Sequence, residues 1–148
     1  MPKVSTEHGS IGYSQLGGGD LRPIVFLHGV GSDKSVWAPQ LNHFGKTRRA
    51  VAFDYPGYGD SDPARPGTNR DDYAAAICGA MDTLGVPHAH VCGLSLGGVI
   101  AIALHHAEPG RCASLILADS FAVHPDGQGI RDRSLDASRS IGMRAMAE

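Results

Sequence analysis

Four short apolar runs recur along the chain, and each is closed by a polar or glycine residue. Residues 24–27 (Ile-Val-Phe-Leu) end at His28-Gly29, 50–53 end at Asp54, 90–92 run into Gly93, and 114–118 end at Asp119. None alternates strictly between apolar and polar, which predicts strands covered on both faces, as in a parallel sheet. Between these runs the period lengthens. Tyr73, Ile77, Met81 and Leu84 share one helical face, with Asn69 where an N-cap belongs, Asp71 and Asp72 in the first turn, and Gly85 and Pro87 at the end. Residues 96–107 are apolar almost all round, which predicts an inner helix stopped by Pro109-Gly110. A weaker helix covers 35–44, with Trp37, Leu41 and Phe44 as its buried stripe. The first 22 residues hold two short strands ending at Gly17-Gly18-Gly19. This alternation predicts an α/β architecture: a doubly wound, mostly parallel sheet with helices on both faces.

Composition narrows the function classes. The 148 residues carry 13 Lys+Arg against 15 Asp+Glu, so the net charge of −2 leaves no electrostatic footprint for nucleic acid. With 42% apolar and 19% charged residues, the chain is a globular domain and not a disordered tail. Its longest apolar stretch, 94–104, is too short to span a bilayer, and the start Met1-Pro2-Lys3-Val4-Ser5 lacks the apolar core of a signal peptide. Cys78, Cys92 and Cys112 are widely spaced and odd in number, with no CxxC pair. That argues against a disulfide framework or a zinc knuckle and for three buried thiols in a cytoplasmic protein. Nothing in the pattern calls for a cofactor or a metal.

The chemistry concentrates at Gly93-Leu94-Ser95-Leu96-Gly97-Gly98, between a predicted strand and a predicted helix. In that context G-x-S-x-G reads as a nucleophile elbow, a strained turn that lifts the serine hydroxyl clear of the sheet. Gly93 and Gly97 lack the Cβ atoms that would clash where strand and helix meet. The Leu96 N–H, at a helix N-terminus, is one donor for a developing oxyanion. His28-Gly29-Val30-Gly31 follows the 24–27 strand, where the second donor belongs, and the Val30 N–H is the candidate. His28 itself is read as a histidine hydrogen-bonded within its loop, because it precedes Ser95. Asp54, in Asp54-Tyr55-Pro56-Gly57-Tyr58-Gly59-Asp60-Ser61, is read as a carboxylate that hydrogen-bonds its own loop.

These pieces, together with Trp37 and the strand S-L-I-L-A-D-S, occur in the order and spacing of the α/β-hydrolases, and residues 10–120 resemble the N-terminal part of that family. Residues 1–120 are then the first part of the core and 121–148 the start of a cap or lid. The tail 141–147 resembles the first cap helix of 3-oxoadipate enol-lactonase-like members. The resemblance implies a hydrolase of carboxylic esters, lactones or similar acyl bonds, with Ser95 as nucleophile and a small-molecule substrate. Acyl transfer, carbon–carbon bond hydrolysis and ligand binding without turnover are the alternatives on the same fold.

A serine hydroxyl is a weak nucleophile until a base takes its proton. In this family the order is Ser, then Asp or Glu, then His. His105, His106 and Glu108 fall ten or more residues down the helix that starts at the elbow, some 15 Å away at about 1.5 Å per residue. Asp119 ends the next predicted strand and His124 follows, so Asp119 as acid and His124 as base have the right order. The simplest account, however, is that Asp119 anchors its loop and His124 is solvated, that the acid and base belong to a later part of the family fold, and that the 148-residue chain is a fragment, nearly inactive alone. The 114–118 strand is then an open sheet edge. It predicts concentration-dependent self-association or aggregation in sedimentation velocity; a monodisperse, cooperatively unfolding monomer would contradict it.

Overall fold

The computed structural model describes residues 2–123, together with Gly129, Asp132, Arg133 and Asp136. His124 and the 141–147 tail lie outside the described residues. Six strands form one sheet: β1 (Lys3–Thr6), β2 (Gly9–Leu16), β3 (Leu21–Leu27), β4 (Arg48–Phe53), β5 (Ala89–Leu94) and β6 (Cys112–Ala118). Their order is β1-β2-β4-β3-β5-β6. The β1–β2 and β2–β4 pairs are antiparallel, and the β4–β3, β3–β5 and β5–β6 pairs are parallel. The chain leaves β3 for β4 on one side, then crosses back over β3 to β5 on the other. Such a reversal opens a crevice at the carboxyl ends of the two inner strands, here β3 and β5.

The pleat divides each apolar run between two layers. Val25, Leu27, Val51, Phe53 and Val91 pack with Ile77, Met81, Ile100 and Leu104 of α2 (Arg70–Thr83) and α3 (Leu96–Ala107). Ile24, Phe26, Ala50, Ala52 and Cys92 face the other way, onto Trp37 and Leu41. The Phe26 and Trp37 rings lie 4.9 Å apart. Unalternating strands and helices on both faces are thus the same fact seen twice: each side of the pleat has its own cover. The predicted 35–44 helix resolves into a 3-10 turn (Lys34–Trp37) and α1 (Ala38–Phe44). Pro39 has no N–H to continue an i→i−4 ladder, so the turn before it tightens.

Helix α2 starts where the sequence places it. The Asn69 side chain accepts from the backbone N–H groups of Asp71 (2.8 Å) and Asp72 (3.3 Å), and the Asp72 carboxylate accepts from the Asn69 N–H at 2.8 Å. This reciprocal box satisfies backbone donors that the first turn leaves without helical partners. Gly85, at φ 65°, takes the left-handed conformation just past the helix end.

One expectation fails at β6. The strand pairs only with β5 among the described residues, as expected of an open edge, but Ile116 and Leu117 are each 46% exposed, so it is not covered on both faces. An apolar run reports which side chains can be buried and not whether anything lies over them. Cys112, at the start of this edge strand, is correspondingly half-buried, whereas Cys78 and Cys92 are buried; all three are free. No described helix is long and apolar enough to cross a membrane.

The capping geometry carries a direct test. Asn69→Ala is expected to lower stability in urea unfolding by about 1 kcal/mol, leaving the elbow intact. A midpoint unchanged from wild type would contradict a capping role.

Candidate active site

Strand β5 and helix α3 meet at Ser95, which has φ 52° and ψ −114°. A non-glycine residue there carries strain of order 1–3 kcal/mol. The surrounding backbone over-determines it. The Ser95 N–H donates to the Ala118 carbonyl at 3.0 Å, and the Ser95 carbonyl accepts from the Gly98 N–H at 2.9 Å. The Ser120 hydroxyl also donates to that carbonyl, at 2.8 Å. Edge strand β6 therefore helps hold the turn, although the sequence reading gave Ser120 no role. The signal available was its position directly after Asp119 at a strand end.

The glycines of the motif are steric requirements. A Cβ on Gly93 would collide with the Gly97 carbonyl, one on Gly97 with the carbonyls of Leu27 and His28, and one on Gly98 with the Ser120 side chain. Helix α3 can thus start directly against the end of β3. Its first amide, Leu96, belongs to the first turn, whose N–H groups have no helical acceptor. On the β3 side, a Cβ at Gly29 would stand 3.5 Å from the Ser95 Cβ. Gly29 is buried, and the next residue, Val30, is 70% exposed. The structure therefore brings Ser95, Leu96, Gly93 and Gly97 together with Gly29, the residue before Val30, at the end of β3 where the strand order reverses. Ser95 itself is half-buried.

The other sequence candidates fall as follows. Asp119 is exposed directly after β6, with φ 45°, a conformation aspartate tolerates better than most residues. His105 and His106 sit exposed in the last turn of α3, as expected from their distance along the helix. His28 is buried and its Nδ1 donates to the Gly29 carbonyl at 2.8 Å, as read from its loop position. Burial lowers its pKa, and its Nε2 lies 3.9 Å from Asp54 Oδ1, too far for a hydrogen bond. Among the described residues, no three His, Cys, Asp or Glu side chains converge as metal ligands.

Asp54 does bond its own loop, accepting from the Asp60 N–H at 2.9 Å, but its main partner was missed. Lys34 is buried. Its backbone N–H donates to Asp54 Oδ1 at 2.7 Å, and its ammonium reaches Asp54 Oδ2 at 2.6 Å and Asp60 Oδ2 at 2.5 Å. Burial alone would lower the Lys34 pKa; the bonds to Asp54 and Asp60 more than offset it, and the ammonium is held above its usual value. The Lys34 bond in turn holds the Asp60 carboxyl below its usual range. Asp60 thus adds stability that is present above the unfolded carboxylate value and lost as pH falls through its lower folded value. Lys34 adds stability that is present below its unfolded value and lost as pH rises through its higher folded value. The Lys34–Asp60 pair therefore contributes in full between the unfolded values, about pH 4 to pH 10, and its contribution is lost only beyond them.

Two substitutions test this arrangement. Lys34→Met leaves the Asp54 charge buried without its counter-ion, and should cost about 3–5 kcal/mol at pH 7 in urea unfolding. The gap from wild type should shrink in acid, as pH falls through the lowered folded value of Asp60, whose carboxyl Lys34 holds below its usual range; a pH-independent gap would contradict the ion-pair account. Gly97→Ala should abolish cooperative folding or cost more than about 3 kcal/mol, whereas Gly110→Ala, whose Cβ meets nothing within 4 Å, should be near neutral.

The chain can now be set beside known proteins. A family model described as alpha/beta hydrolase fold matches residues 22–138. The chain is 36% identical over 117 residues to the dihydrolipoyllysine-residue acetyltransferase component of the acetoin cleaving system of Cupriavidus necator, covering 79% of this chain and 30% of that protein. It is 31% identical over 127 residues to 3-oxoadipate enol-lactonase 1 of Acinetobacter baylyi, covering 84% and 47% respectively. The crystal structure of the enol-lactonase from Burkholderia xenovorans LB400 superposes with a TM-score of 0.85 at 29% identity, over 99% of this chain and 56% of that one. The chain thus spans about half, or less, of the length of these relatives. With the parallel strands, the reversal at β3 and the glycine-lined turn at Ser95 agreeing with that match, the chain belongs to the α/β-hydrolase fold family.

Proposed function

We propose that Ser95 is the nucleophile of a hydrolase acting on carboxylic esters, lactones or related acyl bonds of small molecules. The observation that carries the reading is the strained Ser95 backbone at the N-terminus of α3, with Gly29 packed against it. In this reading the hydroxyl attacks the acyl carbon, and the Leu96 and Val30 N–H groups hold the oxyanion that develops. One such donor contributes about 2.7–4 kcal/mol to the barrier in a comparable enzyme. The leaving group departs on protonation, and water then releases the acyl group from the serine. No cofactor is required.

The hydroxyl needs a base to take its proton. Asp119 as acid and His124 as base keep the family order; the alternative is a pair from the part of the fold that makes up the relatives' additional length. On that alternative, with 121–148 beginning a cap, the 148-residue chain alone is close to inactive. A second reading, acyl transfer to an acceptor other than water, is favoured by the likeness to the acetyltransferase component. It is distinguished by adding a thiol or amine acceptor and following where the acyl group goes.

The test is covalent labelling of the native gene product with a fluorophosphonate probe. Wild type should label on Ser95, and Ser95→Ala should not. Ester or lactone turnover should fall at least about 10³-fold in the variant. Equal labelling of both proteins, or none of either, would overturn the reading in favour of a binding protein.

A further inference from the structure

The segment that carries Val30 is a short bridge pinned at its two ends by one pair of consecutive residues, Asp54 and Tyr55, where β4 ends. At the near end the Tyr55 hydroxyl donates to the His28 carbonyl at 2.8 Å, and the Tyr55 ring lies 4.4 Å from the His28 ring. At the far end Asp54 Oδ1 accepts the Lys34 backbone N–H at 2.7 Å. Both anchors are fully buried, and Asp54 is held in register by the Lys34 ammonium and the Asp60 N–H. Between the anchors, Val30 and Gly31 are exposed.

We propose that Lys34 and Tyr55 are positioning residues for acyl chemistry at Ser95: they clamp the 28–34 bridge so that the Val30 amide is fixed opposite the serine. The inference rests on the nucleophile reading above and adds to it the device that sets the second oxyanion donor. A buried ammonium is an expensive way to fasten a surface loop, since its desolvation must be recovered from its partners. What it secures is a buried carboxylate whose Oδ1 is aimed at the Lys34 backbone N–H while Oδ2 is held by the ammonium and the Asp60 N–H. A hydrogen bond to an ionised acceptor is both stronger and more directional than one to a neutral group. An oxyanion donor is useful only if it is already in place when charge develops, because a donor that must move loses much of its advantage. Tyr55 serves the same end from the other side, with its hydroxyl buried among aromatic rings and committed to a single carbonyl. Neither residue touches the reacting atoms, so both act through the bridge.

The experiment compares wild type, Lys34→Met, Lys34→Arg, Tyr55→Phe and Ser95→Ala of the native gene product. It reads the fluorophosphonate labelling rate and ester turnover per titrated active site. In parallel, hydrogen–deuterium exchange is followed in the peptide spanning residues 28–37. The clamp predicts that Lys34→Met and Tyr55→Phe each lower kcat and the labelling rate by at least about tenfold, with KM changed little. Exchange should rise in the bridge and not in β3 or β5, and Lys34→Arg should recover part of the loss. Should Lys34→Met fail to fold, Tyr55→Phe, which removes one oxygen and no bulk, decides the matter. If labelling of wild type depends on Ser95 but folded Tyr55→Phe, and Lys34→Met where it folds, match wild type in rate and in bridge exchange, the clamp is wrong and the nucleophile reading stands. If wild type shows no Ser95-dependent labelling, the nucleophile reading falls, and the clamp's catalytic role falls with it.

Discussion

The site depends on how closely two backbone segments can pass. Helix α3 begins so near the end of β3 that Gly97 has no room for a Cβ against the Leu27 and His28 carbonyls, and Gly93 has none against Gly97. Only with these side chains deleted can the chain turn from β5 into α3 within one residue. That residue, Ser95, is consequently forced to φ 52°. Neighbours hold the turn by its own N–H and carbonyl, through Ala118 and Ser120. Strain at a functional residue persists only where its surroundings over-determine it, and here strand β6 and helix α3 both do so.

A second layer of organisation is electrostatic. In the proposed reading the loop after β3 stands free at its tip to face a substrate, yet keeps its position. The structure fastens it by its ends, using a buried carboxylate–ammonium network and one tyrosine hydroxyl, both supplied by the end of β4. The strand reversal at β3 makes this economical, since β4 and β5 flank β3 and their carboxyl ends deliver the clamp and the elbow to either side of the same bridge.

Much of this was legible in the sequence for a simple reason: sheet, helix caps and elbow are encoded by local patterns. Asn69 with Asp72 and Gly85 each act within a few residues of themselves, and the 93–98 motif is a contiguous pattern even though Gly97 and Gly98 make room for Leu27, His28 and Ser120. What stayed hidden depends on contacts distant in sequence. Lys34 lies 20 residues from Asp54 and 26 from Asp60, and nothing local marks a lysine as buried. Ser120 acts on a carbonyl 25 residues away. The exposure of β6 was misread because an apolar run carries no information about what covers it. Asp119 is visible as a residue at the right edge of the sheet, but its role depends on a partner that local spacing does not identify.

The most direct measurement is a crystal structure of the native gene product with Ser95 phosphonylated, because the adduct places a charged oxygen where the oxyanion of acyl chemistry would form. The account predicts that oxygen within about 2.7–3.1 Å of both the Val30 and the Leu96 amide nitrogens. An adduct whose oxygen points to solvent, or one formed on a different residue, would contradict it.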